Sequence, residues 1–188
     1  NSYGSRPLSE SVKIADAELV SLLLDAGADV DAQNQDGQTA LMLATRLGSI
    51  EVVELLVGHG ADVNLKEAWR GQTSLMWAAD APSAEITKTL IDNGADVTTR
   101  ALANDWPTQI TSEPRNQYRP TGGLTPLLYA VRSGCTECAE AILDAGADID
   151  RPNPDGVTPL MIAIDNLAFD TARVLLERGA NPHLWDWW

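Results

Sequence analysis

Cysteine and histidine are scarce, with two of each in 188 residues. A zinc site of the two-pair kind needs a second cysteine pair beyond Cys135 and Cys138, and none exists. A c-type haem site needs histidine after the second cysteine, where Ala139 stands. The histidines, His59 and His183, have no serine or cysteine partner at a recognisable spacing. Neither H-E-x-x-H nor G-x-x-x-x-G-K-[ST] occurs. Positive charge is also short: 13 Lys and Arg face 27 Asp and Glu, a net charge of −14. That balance argues against nucleic acid, whose phosphates are held by clustered cations. No apolar run reaches the ~18 residues of a membrane-spanning helix. What is missing therefore points to a chain with no enzyme activity, no cofactor and no metal.

What is present is repetition. Gly-Ala-Asp/Asn-x occurs at Gly27, Gly60, Gly94, Gly146 and Gly179, in steps of 33, 34, 52 and 33 residues. Thr39-Ala-Leu-Met-Leu-Ala returns as Thr73-Ser-Leu-Met-Trp-Ala, Thr125-Pro-Leu-Leu-Tyr-Ala and Thr158-Pro-Leu-Met-Ile-Ala. A fixed period of this length means one small unit stacked on itself. The unit can be assembled from its parts. Asp36-Gly37 and Asp155-Gly156 are turn dipeptides. The threonine after them caps a helix, and Pro126 and Pro159 suit its first position. Leu47-Gly48 breaks the chain before Val52, Val53, Leu55 and Leu56, and Gly60 ends that second helix.

On these residues the chain resembles the ankyrin repeat family along essentially its whole length. The resemblance implies a mainly α fold, a solenoid of stacked helix-turn-helix units with extended finger loops. Five units can be drawn over residues 4–33, 34–68, 69–100, 122–153 and 154–184. An insertion covers 101–121, and a further unit begins at 185–188. The first unit is degenerate: Arg6 replaces the threonine and Ser9-Glu10-Ser11 the apolar run, the polar outer face expected of a capping unit. Where the family carries Thr-Pro-Leu-His, this chain has Met42, Met76, Leu128 or Met161, so apolar packing must replace the histidine's hydrogen bonds. The repeated Asp29, Asp62, Asp96 and Asp148 read as a solvated acidic surface, with a basic partner as the alternative.

The function implied is a non-enzymatic scaffold that binds a protein or peptide, as a subunit or domain of a larger assembly. Two alternatives stay open: a regulatory or substrate-positioning domain of an enzyme beyond this stretch, and a small-molecule or saccharide module using the insertion's aromatics. By resemblance, finger tips and first-helix ends form the binding surface. Fingers contribute Gln33, Gln35, Gln38, Trp69, Arg70, Gln72, Leu124, Pro154, Val157, Trp185 and Trp187. Helix ends contribute Arg46, Asp80, Arg132 and Asp165. Exposed tryptophan there suits an interface anchor, the alternative being packing on neighbouring fingers. Trp77 reads as core. In the insertion, Trp106 and Tyr118 are candidate anchors, with Arg115 and Arg119 beside them, on a surface loop or irregular hairpin extending the third finger.

Cys135-Thr-Glu-Cys138 begins a helix, and Cys138 falls where Val53 packs inward. Two buried thiols are the first reading, a disulfide the second, and metal or catalytic use the last. Leu55 and Leu56 read as matching Leu175 and Leu176. Met161, Ile164, Phe169 and Val174 are expected to face a further unit, so either the chain continues or a partner makes an end-to-end contact with this face. The start at Asn1 without Met is expected of a processed chain. The repeat style and long insertion resemble exported bacterial ankyrin proteins, implying a periplasmic or secreted location.

Overall fold

Four of the five repeats are started by a threonine, and all five are closed by a glycine. Thr39, Thr73, Thr125 and Thr158 sit at N-caps with extended backbone, and their hydroxyls accept the N–H of Met42, Met76, Leu128 and Met161. The second helix of each repeat runs into a glycine with φ between 83° and 93°. At the second repeat, Gly60 N donates to Val57 O and Ala61 N to Leu56 O, which satisfies carbonyls the helix leaves free. The left-handed turn needs glycine there, so the glycine recurs with the period.

The computed structural model describes residues 6–103 and 122–184. Among them lie α1 (Pro7–Lys13), α2 (Ala17–Asp25), α3 (Ala40–Leu47), α4 (Ile50–Gly58), α5 (Ser74–Asp80), α6 (Ala84–Asp92), α7 (Pro126–Ser133), α8 (Thr136–Asp144), α9 (Pro159–Asp165) and α10 (Phe169–Glu177). Odd-numbered helices pack on one another in one layer and even-numbered helices in a second, each odd helix also packing on the even helix that follows it. α5 packs on α7 although residues 101–121 separate them in sequence, so the stack is continuous across the insertion. None of these helices exceeds nine residues. Alone in water such helices are marginal, and their stability comes from burial between layers. Leu56, Leu90, Ile142 and Leu175, each four residues before the repeat glycine, are fully buried. Each such side chain contributes ~1.5–3 kcal/mol on burial. Among the described residues no helix is long and apolar enough to cross a membrane.

Met42, Met76 and Leu128 are fully buried in the positions where the family pattern carries histidine, so apolar packing does replace those polar contacts. The repeated aspartates do more than sit in solvent. Asp29, Asp62, Asp96 and Asp148 each accept the backbone N–H two residues on. Asp31, Asn64 and Asp150 then accept the N–H of Asp62, Asp96 and Asn181 in the next finger. The repeated aspartates therefore order their own finger turns, and Asp or Asn two residues on bonds consecutive turns. At the joint that carries the insertion, Thr98 stands in this acceptor's place. There Arg151 donates to Thr98 O at 2.6 Å, while Arg100 donates to Gly123 O at 2.9 Å and Pro152 O at 2.6 Å.

Several expectations are corrected. Ser9 and Ser11 are buried, Ser11 Oγ donating to Leu8 O, so only Glu10 of that triplet faces out. A small hydroxyl that bonds a carbonyl one turn back can be buried at little cost. Counting from the glycines, the counterpart of Leu56 is Leu175; Leu176, which matches Val57, is 48% exposed. Val174 is buried rather than facing outward, whereas Ile164, Leu167 and Phe169 are exposed on the last helix pair. Cys135 and Cys138 form a disulfide rather than two thiols. Both are buried, and Cys138 occupies the register of Val52, one residue before Val53. The four-residue turn sets their Cα atoms 5.2 Å apart, within the range a disulfide spans.

Candidate functional site

The second and third repeats are joined by a finger one residue longer than those joining the first to the second and the fourth to the fifth. Its turn is organised by Glu67 instead of asparagine. In the finger before it Asn34 Oδ1 accepts the N–H of Asp36 and Gln38, and in the finger between the fourth and fifth repeats Asn153 Oδ1 accepts that of Asp155 and Val157. Glu67 reaches round the wider turn: its carboxylate accepts from Trp69 N at 2.6 Å, Arg70 N at 2.7 Å and Gln72 N at 3.0 Å. Glu67 is only 5% exposed, and three charge-assisted hydrogen bonds offset its desolvation. The residue it displays, Trp69, is 77% exposed. Trp69 Nε1 donates to Asp36 Oδ1 at 3.3 Å, and Ala68 N to Asp36 O at 2.9 Å. An apolar ring is thus held in water from both its backbone and its edge.

From this finger a row of polar and aromatic groups runs over the odd-numbered helices. Gln72 Nε2 donates to the Tyr129 hydroxyl at 2.8 Å. The Arg132 guanidinium lies over the Tyr129 ring, 4.8 Å from its centroid, and Arg132 Nη2 meets Asp80 Oδ1 at 2.7 Å. Beside them Arg46 lies over Trp77, 5.4 Å from the ring centroid. Burial pushes the Tyr129 hydroxyl above its ordinary pKa, while the Gln72 hydrogen bond and the Arg132 charge pull the other way. Contacts of this cation–π kind contribute ~0.5–1 kcal/mol each when exposed. Their larger effect is to fix the orientation of long side chains before a partner arrives.

Of the residues singled out from sequence, the structure brings Arg46, Asp80, Arg132, Trp69 and Arg70 to this surface, all exposed. Asp165 occupies the matching place on α9, at the far end of the row. Gln72 and Leu124 are corrected: both are buried, Gln72 bonded to Tyr129 and Leu124 directly before the Thr125 cap. Trp77 is half-buried rather than core, since Arg46 covers its outer face. Trp106, Arg115, Tyr118, Arg119, Trp185 and Trp187 lie outside the described residues. Glu67 and Tyr129 were missed. The 34-residue step between Gly60 and Gly94 signals the longer finger, and Tyr129 shares the repeat position of Trp77.

The insertion leaves the stack next to this row. Ala101 N donates to Leu124 O at 3.0 Å and Gly123 N to Leu102 O at 3.1 Å. Ala103 and Gly122 form an antiparallel bridge. Leu102 N also donates to Arg70 O at 2.6 Å, which ties this neck to the Trp69–Arg70 finger. Two shallow depressions lie elsewhere, on the even-numbered helices; Lys88, Asp92 and Asp144 line one, Glu51 and His59 the other. Among the described residues no group of three or more His, Cys, Asp or Glu is placed to hold a metal.

A family model described as ankyrin repeats (3 copies) matches residues 8–101 and 108–186. No curated protein matches the chain.

Proposed function

The chain belongs to the ankyrin repeat family, and from that premise we propose that it binds a protein or peptide partner along the row from Trp69 to Arg132, as a subunit or domain of a larger assembly. Repeats of this family are generally protein–protein interaction scaffolds and typically non-enzymatic. The observation that carries the reading is the preset row itself. Arg46 on Trp77 and Arg132 between Tyr129 and Asp80 hold aromatic and guanidinium groups in place on an open surface. Aromatic and arginine side chains are what interface anchors are made of. The insertion, whose neck is bonded to Arg70, adds a second contact arm through Trp106, Arg115, Tyr118 and Arg119. The Cys135–Cys138 disulfide supports a periplasmic or secreted location, because such bonds persist in oxidising compartments.

The test is affinity capture from the source organism's extract, with the intact chain as bait. A specific protein captured by the wild type should be lost with Arg46→Ala/Trp77→Ala and kept with Lys88→Ala/Glu51→Ala on the even-numbered helices. Loss with the outer-face variant alone would move the binding surface to the other layer.

A further inference from the structure

Carboxylates outnumber cations two to one in this chain, 27 against 13. Three of the eight described arginines, Arg132, Arg173 and Arg178, pair with a carboxylate. Most described cations away from the row are engaged. Lys13 pairs with Glu10, Arg173 with Asp170 and Glu177, and Arg178 with Asp144 and Glu140. Arg100, Arg151 and Lys66 are bound to backbone carbonyls. On the row, Arg132 is taken by Asp80. Arg46 and Arg70 meet no carboxylate among the described residues.

The two are also presented in a way that favours capture. A guanidinium lying on an aromatic face leaves its edge N–H groups pointing outward, and those donors match a carboxylate two at a time. Arg46 lies so on Trp77. Arg70 is held through its own backbone: its N–H goes to Glu67 Oε1 and its carbonyl accepts from Leu102 N. Its charge is near enough to Tyr129 to act on that hydroxyl. With Arg132 included, the row carries three cations, set among Asp80, Asp36 beside Trp69 and Asp165 at the far end, on a molecule of net charge −14. A long polyanion meets repulsion from the acidic remainder, while a short acidic stretch can be set down on Arg46 and Arg70 alone.

Resting on the reading above, we propose that the partner presents a short acidic segment, its carboxylates received by Arg46 and Arg70 and its apolar side chains by Trp69 and the exposed part of Trp77. The ligand is a stretch of polypeptide with Asp or Glu alternating with apolar residues. The cations set its register, and the aromatic surface supplies most of its contact area.

Fluorescence anisotropy tests this with the intact chain and three labelled probes of equal length. These are a peptide pool alternating Asp/Glu with Leu/Phe, the same pool with Lys/Arg for the acids, and a single-stranded oligonucleotide. The acidic pool should bind at least about tenfold more tightly than the other two, a gap of about 1.4 kcal/mol. Arg46→Glu/Arg70→Glu should abolish that preference and favour the basic pool, with unchanged circular dichroism. Equal or tighter binding of the basic pool or the oligonucleotide would overturn the inference, as would an Arg46→Glu/Arg70→Glu chain that still prefers acidic peptide. If the capture above still depends on Arg46 and Trp77 while neither peptide pool is preferred, the interaction surface stands and its acidic ligand does not.

Discussion

The side-chain amide of Gln72 and the hydroxyl of Tyr129 meet at 2.8 Å although 57 residues of chain separate them. The bond joins the finger of the third repeat to the first helix of the fourth, on the far side of the insertion. It closes the joint at which Thr98 interrupts the ladder of side-chain acceptors.

Tyr129→Phe removes the hydroxyl and leaves a buried amide without its acceptor, so it should cost about 1–3 kcal/mol in urea unfolding. Gln72→Leu with Tyr129→Phe should cost less than the two changes summed. The pH dependence has a defined sign. Tyr129 has a raised pKa in the folded chain because burial disfavours its anion. Its contribution is complete below the unfolded tyrosine value of about 10 and is lost as pH rises through the higher folded value. Tyr129→Phe should flatten that alkaline limb. An unchanged limb would mean that other groups govern it.

Glu67 holds the finger that displays Trp69. Glu67→Ala strips the acceptor from three backbone N–H groups at once and should cost about 2–4 kcal/mol, at the upper end of single substitutions. Its local signature is sharper than its global one. Freed from Glu67, the peptide bond after Arg70 should become a preferred trypsin site at concentrations that leave the wild type whole. Glu67→Gln keeps one acceptor oxygen and should fall between the two.

The period that defines this fold was legible because one residue type does each terminal task. Threonine caps the first helix in every unit but the first and glycine turns the chain after the second in all five, so both recur with the period. Gly48 and Gly134 likewise end first helices in the left-handed region, whereas Leu167 adopts it without glycine at φ 59°. Contacts between repeats were not legible. The Gln72–Tyr129 bond depends on which turn of α7 faces the finger that Glu67 organises. No spacing in the sequence carries that across residues 101–121. Trp77 was misjudged because its fate depends on Arg46 from the preceding repeat. Leu176 was misplaced by one position, and in a helix one position turns a side chain by about 100°. Glu67 showed as an extra residue in the step between glycines, but its role follows from three backbone directions that only the folded turn supplies.

The corrected register separates three leucines. Leu56→Ala should cost about 2–5 kcal/mol through the cavity it leaves. Leu175→Ala is its true counterpart and equally buried. It should cost somewhat less, because the last described helix pair has a described neighbour on one side only. Leu176→Ala, half exposed, should cost within about 1 kcal/mol, since little apolar area leaves the core. Urea unfolding of the three variants ranks them. A Leu176 cost equal to that of Leu175 would mean that something covers the last pair in solution.

Asp96 offers a second pH test on the acid side. The Thr98 hydroxyl donates to Asp96 Oδ1 at 2.6 Å, and this bond above all lowers the carboxyl's pKa below its ordinary value. A depressed carboxyl contributes stability that is present above the unfolded value and lost as pH falls through the lower folded one. Thr98→Val should remove part of that acid dependence while leaving stability near neutral pH only slightly reduced. Asp96 is largely exposed, so the effect should shrink further in high salt. An acid limb unchanged in Thr98→Val at low salt would show that the Thr98 hydroxyl does not set the titration of Asp96.

The insertion can be tested through its neck. Ala103 and Gly122 face each other as an antiparallel pair, the geometry that a two-residue turn closes. Replacing residues 104–121 with Asn-Gly should therefore keep the bonds of Ala101 to Leu124, Gly123 to Leu102 and Leu102 to Arg70. Shortening a loop changes closure entropy only slowly, so the melting temperature should move by no more than a few degrees. Partner binding should fall sharply if Trp106, Tyr118, Arg115 and Arg119 form the second contact arm. The row of Arg46, Trp77, Tyr129 and Arg132 is untouched by this change, so the acidic peptide pool should still bind. Loss of the peptide as well would place part of its site on the insertion. Full retention of the partner would leave recognition to the row alone.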